Sequence, residues 1–125
     1  MLKLVYHPTW DKALSSKDRE LIEQVHQTVF ITDKAIQFTP IRWDRNHRNE
    51  LLLIVLIHNN SDEAYSFKQK RLSFLQHNNV IANHLFDLPY LTIQSKTAMP
   101  WTFIFPVNAY NREKTFTEGT LVVTE

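Results

Sequence analysis

The sequence contains a single glycine, Gly119, among its 125 residues, and it contains no cysteine. Phosphate-binding loops, dinucleotide fingerprints and nucleophile elbows all require glycines for tight turns and close backbone approach. These classes of enzyme site are therefore excluded. The absence of cysteine also excludes a disulfide framework and any thiolate metal site.

The sequence also lacks a long apolar run and an excess of charge of one sign. Its longest apolar stretch, residues 51–57, is far shorter than the roughly 20 residues that a membrane-spanning helix needs. The formal net charge is +1 and both signs are mixed along the chain, so no strong field selects nucleic acid or an anionic membrane. The N-terminus shows no charged region followed by an apolar core, so no signal peptide is indicated. We expect a cytoplasmic protein without a membrane span.

One helix is predicted near the N-terminus. Ser15 is followed three residues later by an acid, Asp18, which is close to the capping-box pattern of a helix start. Apolar residues then recur at helical spacing, with polar residues on the opposite side. This pattern predicts a helix over about residues 16–29, and its apolar stripe consists of Leu21, Ile22, Val25, Val29 and Phe30.

The rest of the chain is typical of strands. Residues 3–7 alternate loosely and predict a short edge strand, and from residue 34 the period is two. The apolar face changes between Pro40 and Ile41, which predicts a bulge there. Residues 51–57 are apolar on both faces, as in a central strand covered on each side. The remaining short strands alternate with turns, including a hairpin connection at residues 76–79.

The most distinctive strand lies between two prolines, Pro100 and Pro106. Trp101, Phe103 and Phe105 fall on one face at a period of two, and each aromatic side chain can bury roughly 150–250 Å². We expect this core strand to end at the prolines and the other elements to pack against it. One helix followed by six or seven short strands predicts a mainly β protein, an immunoglobulin-like antiparallel β-sandwich with one N-terminal helix. With 43% hydrophobic residues, 125 residues suffice for one domain, residues 1–125.

Several motifs resemble a known family. The segments His7-Pro8-Thr9-Trp10 and residues 95–106 look like the SLAP domain of Firmicutes. Residues 53–62 resemble that family's strand and asparagine turn, and residues 82–88 resemble its next strand. The resemblance covers a core at about residues 4–106 and leaves 107–125 as a C-terminal tail or edge strand. The residues that match the family motif, with structural roles, are His7, Pro8, Trp10, Asn59, Asn60, Phe86, Pro100, Trp101, Phe103, Phe105 and Pro106.

The resemblance implies a domain without catalytic activity. Such domains are found in an accessory Sec system protein that assists export of S-layer proteins, and in small proteins of unassigned role. The implied partner is a secretion or envelope protein, contacted through edge strands and exposed aromatics. We expect no catalytic residue, no metal and no cofactor. Candidate contact residues are Trp43, Arg45, Lys70 and Arg71.

Six histidines suggest an alternative, a small metal- or ligand-binding protein. His77 and His84 bracket a predicted strand and His58 falls in a predicted turn, so a three-histidine site is geometrically conceivable. However, no H-x-H, H-x-x-x-H or H-E-x-x-H spacing occurs, and scattered surface histidines are the preferred interpretation. His7 is expected to pack near the indole of Trp10.

A third hypothesis is nucleic-acid binding through residues 42–48, which mix arginines with Trp43. Residues 68–71 add further basic charge. Because acidic residues lie nearby and the net charge is only +1, a solvated turn is the preferred interpretation, and no nucleic-acid partner is expected.

Overall fold

The computed structural model describes residues 2–113 and 119–124. Within these residues the chain forms two helices and seven strands. In chain order they are β1 (Lys3–Leu4), α1 (Pro8–Ala13), α2 (Ser16–Thr28), β2 (Ile36–Arg45), β3 (Leu51–Asn59), β4 (Tyr65–Gln76), β5 (Asn79–Ile93), β6 (Thr97–Phe105) and β7 (Thr120–Val123).

The strands form two sheets that pack face to face. Sheet A has the order β1-β6-β3-β2, and sheet B has the order β5-β4-β7. Every neighbouring pair is antiparallel except β1 and β6, which are parallel. The main core lies between the sheets, and a smaller core lies between the helices and the outer face of sheet A. The predicted mainly β sandwich is therefore confirmed, with a helical layer added on one side.

β6 forms the predicted core strand. Phe103 and Phe105 are fully buried between the sheets, and Trp101 is half-buried on the same face. The Phe103 ring lies 5.6 Å from the ring of Phe67 and 5.2 Å from that of Phe86, both on sheet B. Full burial of one such side chain stabilises the fold by about 3 kcal/mol, so β6 is a major source of the contact between sheets.

The predicted central strand is β3, which is covered on both faces. Leu53, Val55 and Ile57 are fully buried between the sheets. Leu56 points the other way and is equally buried, against Ile22 of α2. This two-sided burial explains why apolar residues run through β3 without alternation.

The structure has two helices where one was predicted. α2 matches the predicted helix, and the Ser15 hydroxyl accepts a hydrogen bond from the Asp18 backbone N–H at 3.1 Å. Phe30, assigned to its apolar stripe, lies beyond the helix end and is 82% exposed. α1 was missed because six residues are too few to show a helical period. Its start is nevertheless encoded, since His7 caps it through Nδ1 and Pro8 follows in the first turn.

Two strands of sheet B are longer than predicted. β4 and β5 are each continuous over 12 and 15 residues, whereas the sequence predicted only short strands alternating with turns here. Register shifts in β4 accommodate the irregularity, and Gln69 there has a φ of 53°. The hairpin connection is confirmed: His77 and Asn78 form a two-residue turn with φ of 51° and 66°.

Pro40 and Pro100, the two prolines within the strands of sheet A, differ in their consequences. β2 shifts register between Pro40 and Arg42, which confirms the predicted bulge. The prediction that Pro100 begins its strand is wrong, since β6 starts at Thr97. The Ala98 carbonyl accepts from the Val5 N–H at 2.9 Å, so it points toward β1 and away from β3. Pro100 has the same orientation two residues later, and its missing N–H therefore costs no bond to β3.

Neither α1 nor α2 reaches the length and apolar character that a membrane crossing requires, within the part of the chain that the structure describes.

Candidate functional site

An open groove of about 430 Å³ lies between the helices and the outer face of sheet A. Trp10 and Leu14 from the α1 region and Leu21 of α2 form its wall. Ile54 of β3 and Thr102 of β6 form its floor. We call this feature the helix–sheet groove. Its lining is mostly apolar.

The groove exists because the helices cover only part of sheet A. Leu56 and Ala98 are completely buried beneath the helical layer. Farther along the same outer face, Ile104 is 46% exposed, and Leu21 on the facing helix is 38% exposed. The outer face of sheet A is therefore apolar and accessible at Ile104.

One ion pair crosses the rim of the groove. Arg42 of β2 lies 3.6 Å from the Asp18 carboxylate of α2. Both side chains are largely exposed, so the pair contributes less than about 1 kcal/mol to stability. Its position in the lining gives the groove one charge of each sign.

The two motifs at opposite ends of the chain meet beside the groove. The Trp101 ring contacts His7 at 5.3 Å and stacks on Trp10 at 6.3 Å between centroids. Tyr90 of β5 lies 6.0 Å from the same indole. His7 thus packs on the indole of Trp101. These contacts hold α1 against the edge of β6, which positions Trp10 as a wall of the groove.

The asparagine motif has a structural role. Asn59 is completely buried, and its Nδ2 donates to the carbonyls of Glu63, Ile93 and Gln94 at 2.8, 2.9 and 3.2 Å. Its Oδ1 accepts from the Ser61 hydroxyl at 2.7 Å. Asn59 therefore links the end of β3 in sheet A to the end of β5 in sheet B.

The other matched residues also lie in the framework. The Asn60 backbone N–H donates to the Ala35 carbonyl at 2.8 Å. Phe86 is buried, and its ring lies 5.1 Å from the Phe105 ring. The Pro106 carbonyl accepts a hydrogen bond from the backbone N–H of Ala109, three residues further on. None of these contacts faces the groove.

The four candidate contact residues are divided between the sheets. On β2, Trp43 packs against the main core and the Arg45 guanidinium lies 5.5 Å from its ring. On β4, Lys70 lies 5.1 Å over the Tyr65 ring and Arg71 donates to the Asn83 side chain. Each of the four therefore packs against the protein's own side chains, and Arg45 also reaches beyond sheet A, where its guanidinium lies 5.7 Å from the Tyr110 ring.

The three candidate metal histidines are not brought together. His58 lies on the outer face of sheet A, beneath the helices, whereas His77 lies in the β4–β5 turn and His84 lies 4.8 Å from Phe86 on sheet B. No cluster of three or more metal-binding side chains occurs among residues 2–113 and 119–124.

His58 itself has an unusual environment that sequence reasoning missed. It is 1% exposed, its Nε2 is hydrogen-bonded to the Thr39 hydroxyl at 2.9 Å, and its Nδ1 has no partner within the described residues. Burial, with a smaller effect from His26, lowers the pKa of His58 to about 4. The alternation that places residue 58 on the same face as Leu56 would have indicated this burial only with the strand extended past residue 57.

The structure defines a β-sandwich module with a helix-flanked apolar groove. A family model described as the SLAP domain matches residues 4–124, which is nearly the whole chain. The chain therefore belongs to the SLAP domain family, an assembly-type family without enzymatic activity that is associated with S-layers and accessory Sec secretion. The match continues past residue 106 and includes β7. Comparisons with curated proteins and with solved structures gave no match.

Proposed function

We propose that this chain is a non-catalytic binding module that contacts a protein of accessory Sec export or envelope assembly through the helix–sheet groove. The observation that carries this proposal is the accessible apolar surface between α2 and β6. Family membership supports the class of partner, and the groove supports the location of the contact.

The groove has the composition of a protein-binding surface. Binding energy in such surfaces is concentrated in a few rigid aromatic and aliphatic anchors within a water-excluding rim. Trp10 is held by stacking on Trp101, so it offers a large contact area at little cost in conformational entropy. Leu21 and Ile104 add apolar surface that a partner would remove from water.

We place the contact here in preference to Trp43, Arg45, Lys70 and Arg71. Those residues are divided between two sheets and already pack against the protein's own aromatic or amide groups. Exposed charges of this kind influence association rates more than affinity.

A pull-down from the native cell tests the proposal. The tagged full chain is expected to retain a secretion or envelope component, identified by mass spectrometry. Leu21→Asp places a charge in the groove wall and should abolish this recovery, because an apolar partner surface would have to desolvate the carboxylate. Val80→Asp is the matched control, since Val80 is 59% exposed on sheet B, away from the groove.

Two results would contradict the proposal. In the first, the wild-type chain retains no secretion or envelope component. In the second, Leu21→Asp and Val80→Asp reduce the amount of the retained component equally. Near-ultraviolet circular dichroism confirms that both variants keep the packed aromatic core. The cytoplasmic location stays a prediction, which fractionation of the native cell tests.

A further inference from the structure

β6 has an open backbone edge along its second half. β1 pairs only with Thr97 and Ala98, and the chain then leaves the sheet to form α1. Backbone groups two residues apart point to the same side of a strand, so Thr102 and Ile104 face the same side as Ala98. Their N–H and C=O groups have no backbone partner within residues 2–113 and 119–124.

Two of the other sheet edges are guarded against pairing. β2 carries a bulge after Pro40 and ends in charged residues that include Asp44 and Arg45. β5 is covered where the Asn83 backbone N–H donates to the Ala109 carbonyl, and farther on Pro89 supplies no N–H. Bulges, charges, prolines and covering segments are the devices by which proteins prevent strand addition.

The open stretch of β6 has none of these devices beyond Trp101, the residue that α1 covers. The residues between Pro100 and Pro106 include no charge, and β6 pairs with β3 through this stretch without a register shift. The two prolines limit strand addition to residues 101–105, because neither supplies an N–H. This edge also borders the helix–sheet groove, whose floor includes Thr102.

We propose that the partner supplies an extended, uncharged segment of about five residues that pairs with the β6 edge at Thr102 and Ile104. The inference rests on the proposed function and specifies the chemistry of the partner. The edge itself offers no charge, and Asp18 and Arg42 of the groove already pair with each other at 3.6 Å, so an uncharged strand loses the least on leaving water. Alternate side chains of the added strand would lie over the groove, so apolar residues at every second position fit best.

A display library of random 12-residue peptides, selected on the full-length chain, tests this pairing. Ile104→Pro removes the outward N–H and blocks strand addition, while the fold already tolerates Pro100 in the same orientation. Selected peptides should bind Ile104→Pro at least about tenfold more weakly than wild type. Ile104→Val, which keeps the N–H, should bind within about twofold of wild type, since it removes only one exposed methylene.

Hydrogen exchange on the wild-type chain provides a measurement that does not depend on the variant folding. The amides of Thr102 and Ile104 should exchange rapidly in the free chain and slowly when a selected peptide is bound. Unchanged exchange at both amides in the complex would overturn the pairing.

The outcomes separate this inference from the proposed function. Peptides that bind Ile104→Pro as tightly as wild type, but fail to bind Leu21→Asp, overturn edge pairing and leave groove binding intact. A selection that yields no binder counts against both. Sedimentation could instead show a concentration-dependent dimer that Ile104→Pro abolishes. That result would identify a second copy of the chain as the occupant of the edge, and it would overturn the assignment to a partner protein.

Discussion

Acid should destabilise this fold through His58 in particular. In the folded chain this imidazole is 1% exposed, with Nδ1 unpaired in the described structure, and its pKa is lowered to about 4 from an ordinary value of 6.5. Between these two values the unfolded chain binds more protons than the folded chain. The stability that neutral His58 provides is therefore fully present above pH 6.5 and is lost as pH falls toward 4.

The size of the effect follows from the two pKa values. Because proton binding is linked to folding, lowering the pH from 7.5 to 4.5 should reduce the free energy of unfolding by about 2.5 kcal/mol through His58 alone. Small domains have total stabilities of about 5–15 kcal/mol, so the loss is measurable. His58→Gln removes the titration and keeps a side chain that is able to hydrogen-bond to Thr39.

Urea unfolding followed by tryptophan fluorescence at several pH values is the assay. The wild-type chain should lose about 2.5 kcal/mol more than His58→Gln between pH 7.5 and 4.5. His77→Gln, in the exposed hairpin turn, should follow the wild-type curve. Parallel curves for wild type and His58→Gln would show that burial of this imidazole does not disfavour its charged form.

Four further substitutions test the framework by urea unfolding. Asn59→Ala should cost about 2–4 kcal/mol, because three carbonyls lose a buried donor; a cost below 1 kcal/mol would show that it does not link the sheets. Phe103→Ala should cost about 3–5 kcal/mol and Trp101→Ala less, since the indole is only half-buried; the reverse order would contradict the core assignment. Gly119→Ala should cost about 1–3 kcal/mol, because its Cβ would lie 2.6 Å from the Leu75 carbonyl oxygen; an unchanged midpoint would show that the backbone yields freely there.

The fold was predictable where hydrophobic period and burial agree. α2 has a cap and a helical stripe, β3 is apolar on both faces, and β6 places Phe103 on a clear period of two. The predictions of secondary structure failed where local geometry overrides the hydrophobic period. α1 is too short to show a helical period, and the bulge at Gln69 interrupts the alternation of apolar residues within β4.

The candidate site was less predictable, since it depends on how elements pack. The sequence marks Trp10 and Trp101 as motif residues, but their stacking requires the turn of the chain into α1. Nothing local in Ile54 or Thr102 indicates that the helices leave them uncovered. Similarly, His58 reads as a polar turn residue, and its burial arises only because β3 extends to Asn59 beneath α2.

Site-specific photocrosslinking in the native cell shows whether the partner occupies the helix–sheet groove. A benzophenone amino acid at position 21 lies in the groove wall, and one at position 80 lies on sheet B. We expect a crosslink from position 21 to a secretion or envelope protein and none to that protein from position 80. A crosslink to the same protein from position 80 alone would show that the partner binds sheet B and would contradict the account.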